Sequence, residues 1–372
     1  VVIREGDLIL ISGVSNYGKG HPFGTPILTT KGWVNIENLD LIDSVFGQDG
    51  NIGRITGIYP RGLQKCYRFI FDDLSYLDVD ENHLWTIRKT WGTGKFSWLT
   101  KSTKDIIKKY GDFPKYAKNR VEIPMCDSIQ FPRQDVPISP YIVGLLLGDG
   151  HLSGSTPRFS TADRDLLKAF TSNGFDIGFH AKYDYSILGI GGIIKDLGIG
   201  ENSKDKYIPL VYLYNSSDIR LALLRGLMDT DGYVNKRGYC EFVSVSKQLA
   251  DGVRFIINSL GGRVATYTKS ITSYKYKNEK RNGQRCYRLA FGVNFNPFSL
   301  ERKAVLWKPP IKSRNRRIKH IEYIGDFETI CISTNFKDGL YIAKDCIVTH
   351  NTTVALNFLG ENIDYHPVLM GN

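Results

Sequence analysis

Chemistry aimed at the chain's own backbone is written into Cys346–Thr353, CIVTHNTT. The side-chain amide nitrogen of Asn351 can reach the carbonyl carbon that joins it to Thr352, close a five-membered succinimide and break the peptide bond. His350 stands beside it as a proton donor to the departing amine. The Thr352 hydroxyl is then a nucleophile at the start of whatever follows. On composition alone the same residues read as a polar turn after a strand.

The other end of the chain gives this chemistry a purpose. Gly13–Lys19, GVSNYGK, follows an apolar strand and has the form of the front of a phosphate-binding loop, whose lysine is followed by Ser or Thr. Here Lys19 is followed by Gly20 and His21. Deleting residues 20–351 joins the ends as GVSNYGK-TTVALNFL, and Gly13, Gly18, Lys19 and Thr352 then complete the G-x-x-x-x-G-K-T spacing that cradles ATP phosphates. The middle of the chain therefore resembles an intein, a self-splicing element, lodged in the phosphate loop of a P-loop ATPase.

The resemblance extends to internal blocks. GTPILTTKGWVNIENL, from Gly24, is similar to the opening block of inteins, which start with Cys or Ser; this chain has Gly20 there. Glycine carries neither sulfur nor oxygen, so the resemblance implies a disabled first step. The departure reads as a Cys-to-Gly exchange that would trap the precursor, with a start site elsewhere as the competing view. In the next block, Asp80–His83 (DENH) stands where inteins have T-x-x-H. The resemblance makes His83 the residue that polarises the N-terminal scissile amide, with Asp80 in the Thr position. The closing block, Phe327–Asn351, lacks the second histidine that some inteins place near Gly339, which leaves His350 and Asp338 to assist Asn351.

Two further stretches carry a different chemistry. PYIVGLLLGDG (Pro140–Gly150) and LALLRGLMDTDG (Leu221–Gly232) read as apolar helices, each ending at a glycine stop with an aspartate just before it, Asp149 and Asp231. Gly144 and Gly148 lie four apart on one helix face, as do Gly226 and Thr230 on the other, so two backbones can approach closely. A carboxylate at a helix C-terminus is unfavourable by about 0.3–1 kcal/mol, so two of them ask for a cation. Mg2+ held by Asp149 and Asp231 would supply it and activate water against a phosphodiester. These stretches resemble the two motifs of LAGLIDADG homing endonucleases. The K-x-I-P element at Lys206 resembles the place where those enzymes put a basic residue near the metals, and Lys303 in NPFSLERKAVLW is its pseudo-symmetric counterpart. Strands after each motif (151–161, 233–244, 264–270, 286–293), backed by helices over 163–173 and 247–260, are expected to form two sheets that straddle duplex DNA.

Bulk properties fit both readings. The chain has 372 residues, 42% hydrophobic and 23% charged, as in an ordinary globular protein, with no apolar run long enough to span a membrane, and a signal segment is not expected. A cytoplasmic, monomeric protein is expected. Its formal net charge of +11 favours a polyanionic partner, here double-stranded DNA, and KNEKRNGQR (277–285) and KSRNRRIK (312–319) are dense basic patches. Six cysteines without C-x-x-C pairing argue against zinc and disulfides, and they are expected to be reduced and buried.

The expected fold class is α+β: an all-β splicing domain interrupted by an α/β two-repeat endonuclease. The expected boundaries are a host segment 1–19, splicing parts 20–134 and 314–351, an endonuclease 135–313 and a second host segment 352–372. The expected functions are autocatalytic splicing, needing no cofactor, and metal-dependent site-specific DNA cleavage. The alternatives are a splicing element with a degenerate DNA-binding domain, or a P-loop ATPase with an inert insertion.

Overall fold

Residues 20–89, 97–111, 121–270, 274–276, 279–281, 284–309 and 315–351 are described by a computed structural model. The phosphate-loop residues Gly13, Gly18 and Lys19, the Thr352 beyond the junction and parts of both basic patches lie outside the described residues. The chain begins with strands separated by turns: β1 (His21–Pro22), β2 (Pro26–Thr29), β3 (Gly32–Asn35), β4 (Ser44–Phe46), β5 (Ile52–Phe71), β6 (Tyr76–Asp80), β7 (Leu84–Lys89) and β8 (Leu99–Ser102). Helix α1 (Thr103–Tyr110) and β9 (Val121–Ile123) follow. Glu81–His83 form a turn between β6 and β7, because the Asp80 carboxylate caps the Asn82 amide and the His83 amide returns to the Asp80 carbonyl.

The second unit opens with α2 (Pro140–Asp149), then β10 (Gly150–His151), β11 (Arg158–Ser160), α3 (Arg164–Thr171), β12 (Asp176–Ala181), β13 (Asp184–Leu188), α4 (Gly191–Leu197) and α5 (Leu210–Leu213). A second half repeats the plan with α6 (Ser217–Thr230), β14 (Gly232–Val234), β15 (Cys240–Ser244), α7 (Lys247–Ser259), β16 (Arg263–Ser270), a hairpin of β17 (Tyr274–Tyr276) and β18 (Glu279–Arg281), β19 (Arg285–Gly292) and α8 (Glu301–Ala304). The sheets run β10-β11-β13-β12 and β14-β15-β19-β16, the same order in each half.

Helices α2 and α6 pack through their small residues. A methyl built on Gly144 would lie 2.2 Å from the Leu223 carbonyl oxygen, and one on Gly226 2.2 Å from that of Tyr141. Only glycine permits this approach. The glycines after the motifs differ from expectation: Gly150 has extended backbone (φ −78°, ψ 137°), not a left-handed stop. A side chain there would lie 2.3 Å from the Leu146 carbonyl oxygen, and one at Gly232 2.4 Å from that of Met228, so close contact with the preceding turn demands both glycines.

The chain then returns as β20 (Arg316–Thr334), β21 (Leu340–Ala343) and β22 (Ile347–His350). β20 pairs antiparallel with β5 along nearly its whole length, with register shifts at Ile318/His320, Tyr323/Gly325, Thr329/Ile330 and Ser333/Thr334. Such bulges bend a long ribbon and re-aim side chains. The sheet runs β22-β21-β2-β4-β5-β20-β9-β7-β8, with β1 laid against β20. Phe69, Phe71, Trp85, Ile332 and Ile347 form part of its core. The fold is mixed α+β, with the first and last parts of the described chain in one sheet.

Candidate functional site

β20 carries a bulge beside each end of the 20–351 segment. At the first end, the Gly20 amide donates to Asp80 Oδ2 at 2.6 Å, and the Gly20 carbonyl accepts from the Asp80 amide at 3.0 Å. Thr329, at a β20 bulge, closes the other side: a Cβ on Gly20 would lie 2.9 Å from Asp80 Oδ2 and 3.0 Å from Thr329 Cβ and Oγ1. Burial pushes the Asp80 carboxyl up to about 6, against the amides of Gly20, Asn82 and His83, which favour its charged form.

His83 lies in the turn that follows Asp80. Its Nε2 is 2.7 Å from Thr349 Oγ1, which also lies 3.5 Å from His21 Nε2. The two imidazoles are 4.7 Å apart, and Trp85 packs edge-on to His83 at 5.3 Å. Burial drives His21 down to about 4, so its ring is neutral at physiological pH. The expected His83 therefore reaches the C-terminal strand through Thr349, and the side chain bonded to the Gly20 amide is Asp80.

A thiol that sequence reasoning passed over as merely buried stands opposite the glycine. β1 pairs His21 with Ile330 and Pro22 with Thr329. One step further in this antiparallel register, Gly20 faces Cys331, a buried free cysteine. Burial, and then the nearness of Cys331 and Asp80, raise the Tyr341 hydroxyl, which places both groups around one ring. All six cysteines are free and buried, as expected.

At the other end, Asn351 is 1% exposed. Its amide donates to the Gly339 carbonyl at 2.6 Å, and its side-chain Nδ2 donates to the Thr334 carbonyl at 3.3 Å and to Thr334 Oγ1. Thr334 sits at the last bulge of β20 and was not legible as a site residue. His350 Nδ1 donates to the Asn351 carbonyl oxygen at 2.5 Å, where it would polarise the carbon that an Asn351 cyclisation attacks. Asp338 Oδ1 accepts from the Leu340 amide at 2.9 Å and shapes the turn before β21. Asp345 and Cys346, both left-handed (φ 58° and 53°), turn the chain into β22. The buried Arg316 holds their carbonyls at 2.7 Å each while pairing with Asp73 at 2.8 Å.

The third cluster lies where α2 and α6 end side by side. Asp149 closes α2 and Asp231 caps α6. Burial and the Asp149 charge push Asp231 up to about 6, and burial raises Asp149 as well. Two lysines thread the helix ends. Lys206 Nζ donates to the carbonyls of Leu146, Gly148 and Gly150 at 2.8–3.1 Å. Lys303 Nζ donates to those of Met228, Asp229, Thr230 and Gly232 at 2.7–3.0 Å. The paired placement is the pseudo-symmetry read from the sequence, and part of the cation demanded by the helix ends is ammonium.

Burial presses Lys206 down to about 8, against the pull of both aspartates. Asp229, two residues before Asp231, is clamped by the Tyr141 hydroxyl at 2.7 Å and the Ser299 and Leu300 amides. Its acidic type within DTD was the available signal. Among the described residues no cluster of three or more His, Cys, Asp or Glu could hold a metal. A cation between Asp149 and Asp231 would take two carboxylates and complete its shell with carbonyl, water or phosphate oxygen, which suits a hard divalent ion. Their mutual repulsion fits such an ion. Among the described residues no helix is long and apolar enough to cross a membrane.

Residues 218–292 match the family described as LAGLIDADG-like domain. The replicative DNA helicase DnaB of Mycobacterium intracellulare is 25% identical over 375 residues, covering 94% of this chain and 62% of that protein. The chain thus spans less than two thirds of that relative's length. The ATP-dependent DNA helicase Hel308 of Thermococcus kodakarensis is 30% identical over 152 residues, covering 34% of this chain and 13% of that protein. Among solved structures, the gp41-1 intein shares 10% identity with a TM-score of 0.28, covering 90% of this chain and all of that one.

Proposed function

Because the chain fits an intein that carries a LAGLIDADG domain in a host ATPase, we propose that residues 20–351 excise themselves and rejoin the phosphate loop of a helicase-type host. Splicing would be the work of residues 20–134 and 314–351, and residues 135–313 would cut DNA. The observation that carries this reading is the convergence of both ends on β20, with Thr329 against Gly20 and Thr334 holding the Asn351 amide.

The missing nucleophile at residue 20 has a stand-in. The Cys331 thiol, opposite Gly20, attacks the Lys19 carbonyl; the carbon–sulfur bond forms as the bond to the Gly20 nitrogen breaks. The Thr352 hydroxyl then takes the acyl group from sulfur. Asn351 Nδ2, oriented by Thr334, attacks its own carbonyl, which the His350 Nδ1–H polarises. The Thr352 amine so released captures the ester carbonyl and restores a peptide bond between Lys19 and Thr352.

The DNA-cutting unit is a hydrolase of phosphodiester bonds in this reading, with the host gene's uninterrupted join as its duplex target. Asp149 and Asp231 would hold Mg2+, which when bound activates water and neutralises phosphate charge. Lys206 and Lys303 fix the helix ends that present the two acids. The splicing reading is tested in a Thr352→Ala variant, where acyl groups accumulate on sulfur. Hydroxylamine should release residues 1–19 from that variant, and a further Cys331→Ala change should abolish the release. Release that survives Cys331→Ala refutes the thiol assignment.

A further inference from the structure

The reacting nitrogen at the first junction belongs to Gly20, and one acid touches it: Asp80 Oδ2, at 2.6 Å. A peptide nitrogen is a poor leaving group because it departs as an unstable amide anion unless it is protonated. In the intact bond that nitrogen is planar and donates its N–H to Asp80. Once the Lys19 carbonyl has been attacked, the nitrogen becomes tetrahedral and basic, already at contact distance from the same carboxyl. Asp80 is 1% exposed, and its other carboxyl oxygen, Oδ1, accepts from the Asn82 amide at 2.9 Å.

We propose that Asp80 is the catalytic acid of the first junction, handing a proton to the Gly20 nitrogen as the Lys19–Gly20 bond breaks. This rests on the excision reading above and assigns one of its residues. The step balances: the thiol loses its proton and gains the acyl carbon, and the Gly20 nitrogen loses that carbon and gains the proton of Asp80. The proton shed by sulfur restores the acid, so thiol plus amide become thioester plus amine. His83, the residue that the motif suggested for this amide, is engaged with Thr349.

The groups around Asp80 fit a carboxyl that takes up its proton about a unit below neutrality. Burial raises it to about 6, and Arg61 on β5 is the cation that pulls it down. Cys66 on β5, Tyr341 on β21 and the His83 amide in the turn stand around it, and burial holds the Cys66 thiol at about 12. The reactive form carries one proton shared between thiol and carboxyl. Below about 6 both groups are protonated, so the rate falls about tenfold per pH unit; above it the rate levels off.

The test uses the full chain with Thr352→Ala. Thioester is allowed to form at each pH from about 5 to 8 and is then cleaved by hydroxylamine at one fixed pH, so that the chemistry of the probe is constant. The parent should show the low-pH limb with its midpoint near 6. Asp80→Asn should slow thioester formation by about 100-fold or more at pH 7 and remove the bend near 6, leaving a rate that keeps rising with pH as the thiol ionises. Cleavage after Asn351 in the same sample reports that the variant is folded. Equal rates and equal profiles in the two chains overturn the proposal. Should Asp80→Asn lose both cleavages through misfolding, the parent's profile decides, and a profile flat through 6 overturns it. No thioester from the parent at any pH is a different failure, that of the excision reading itself.

Discussion

Replacing Gly226 by alanine puts a methyl where there is no room, and its cost can be worked from the helix contact. The added carbon would lie 2.2 Å from the Tyr141 carbonyl oxygen, 2.8 Å from the Leu145 nitrogen and 2.9 Å from the Gly144 Cα. All three are backbone atoms of α2, which no rotamer change can move. A carbon–oxygen contact wants about 3.3 Å, so the helices must part by about 1 Å. Overpacking of this kind costs about 3 kcal/mol at the upper end of its usual range. Alanine recovers about 1 kcal/mol of helix propensity, leaving a net loss of about 2 kcal/mol. For a unit of this size that is about 4–8 °C in melting temperature. Gly192 in α4 is the control, because a methyl there meets nothing within 4 Å and should be neutral or stabilising. Thermal unfolding of both variants beside the parent checks this. A Gly226→Ala protein that melts with the parent would refute close helix contact as the reason for the glycine.

Other substitutions separate the sites. Asn351→Ala should abolish cleavage before Thr352, read by mass spectrometry, while thioester at Cys331 still forms; cleavage that persists removes Asn351 from the mechanism. Asp231→Asn should abolish magnesium-dependent cutting of a plasmid carrying the uninterrupted join and leave splicing intact, whereas a block to splicing in folded protein would contradict separate modules. The same change has a sign in stability. Asp231 is raised from 3.8 to about 6, so the folded chain loses stability as pH rises through that window. Asp231→Asn should therefore raise stability at pH 7 by up to about 3 kcal/mol, with no gain at pH 4. Lys303→Met would strand the Met228, Asp229, Thr230 and Gly232 carbonyls, which the ammonium satisfies, and should cost about 3 kcal/mol in denaturant unfolding.

Helix α2 was legible to the residue because it is apolar all round, opens with proline and ends at the carboxylate. Helix α6 starts four residues before its apolar run, at Ser217, because Arg220 is a buried interior residue that reads as a boundary. Its guanidinium is satisfied by the Asn215 and Ile129 carbonyls and the Ser259 hydroxyl, partners that no local pattern announces. β12 and β13 escaped notice since β12 is largely exposed, Phe179 and His180 among its side chains, and β13 is mostly half-buried, so neither shows clean alternation. The roles of Asp80, Thr329, Cys331 and Thr334 depend on the register of β20 against β1 and β5. That register is set by bulges hundreds of residues away in sequence from the strands they meet, so motif spacing singled out Asp80, His83, His350 and Asn351 but not Thr329, Cys331 and Thr334.

Autocatalytic excision is tested most directly by incubating the purified chain under folding conditions and weighing the products. Two new species are expected: a peptide reading through GVSNYGKTTVALNFL, with Lys19 joined to Thr352, and a free segment of residues 20–351. Only intact chain, in protein shown to be folded, would contradict excision.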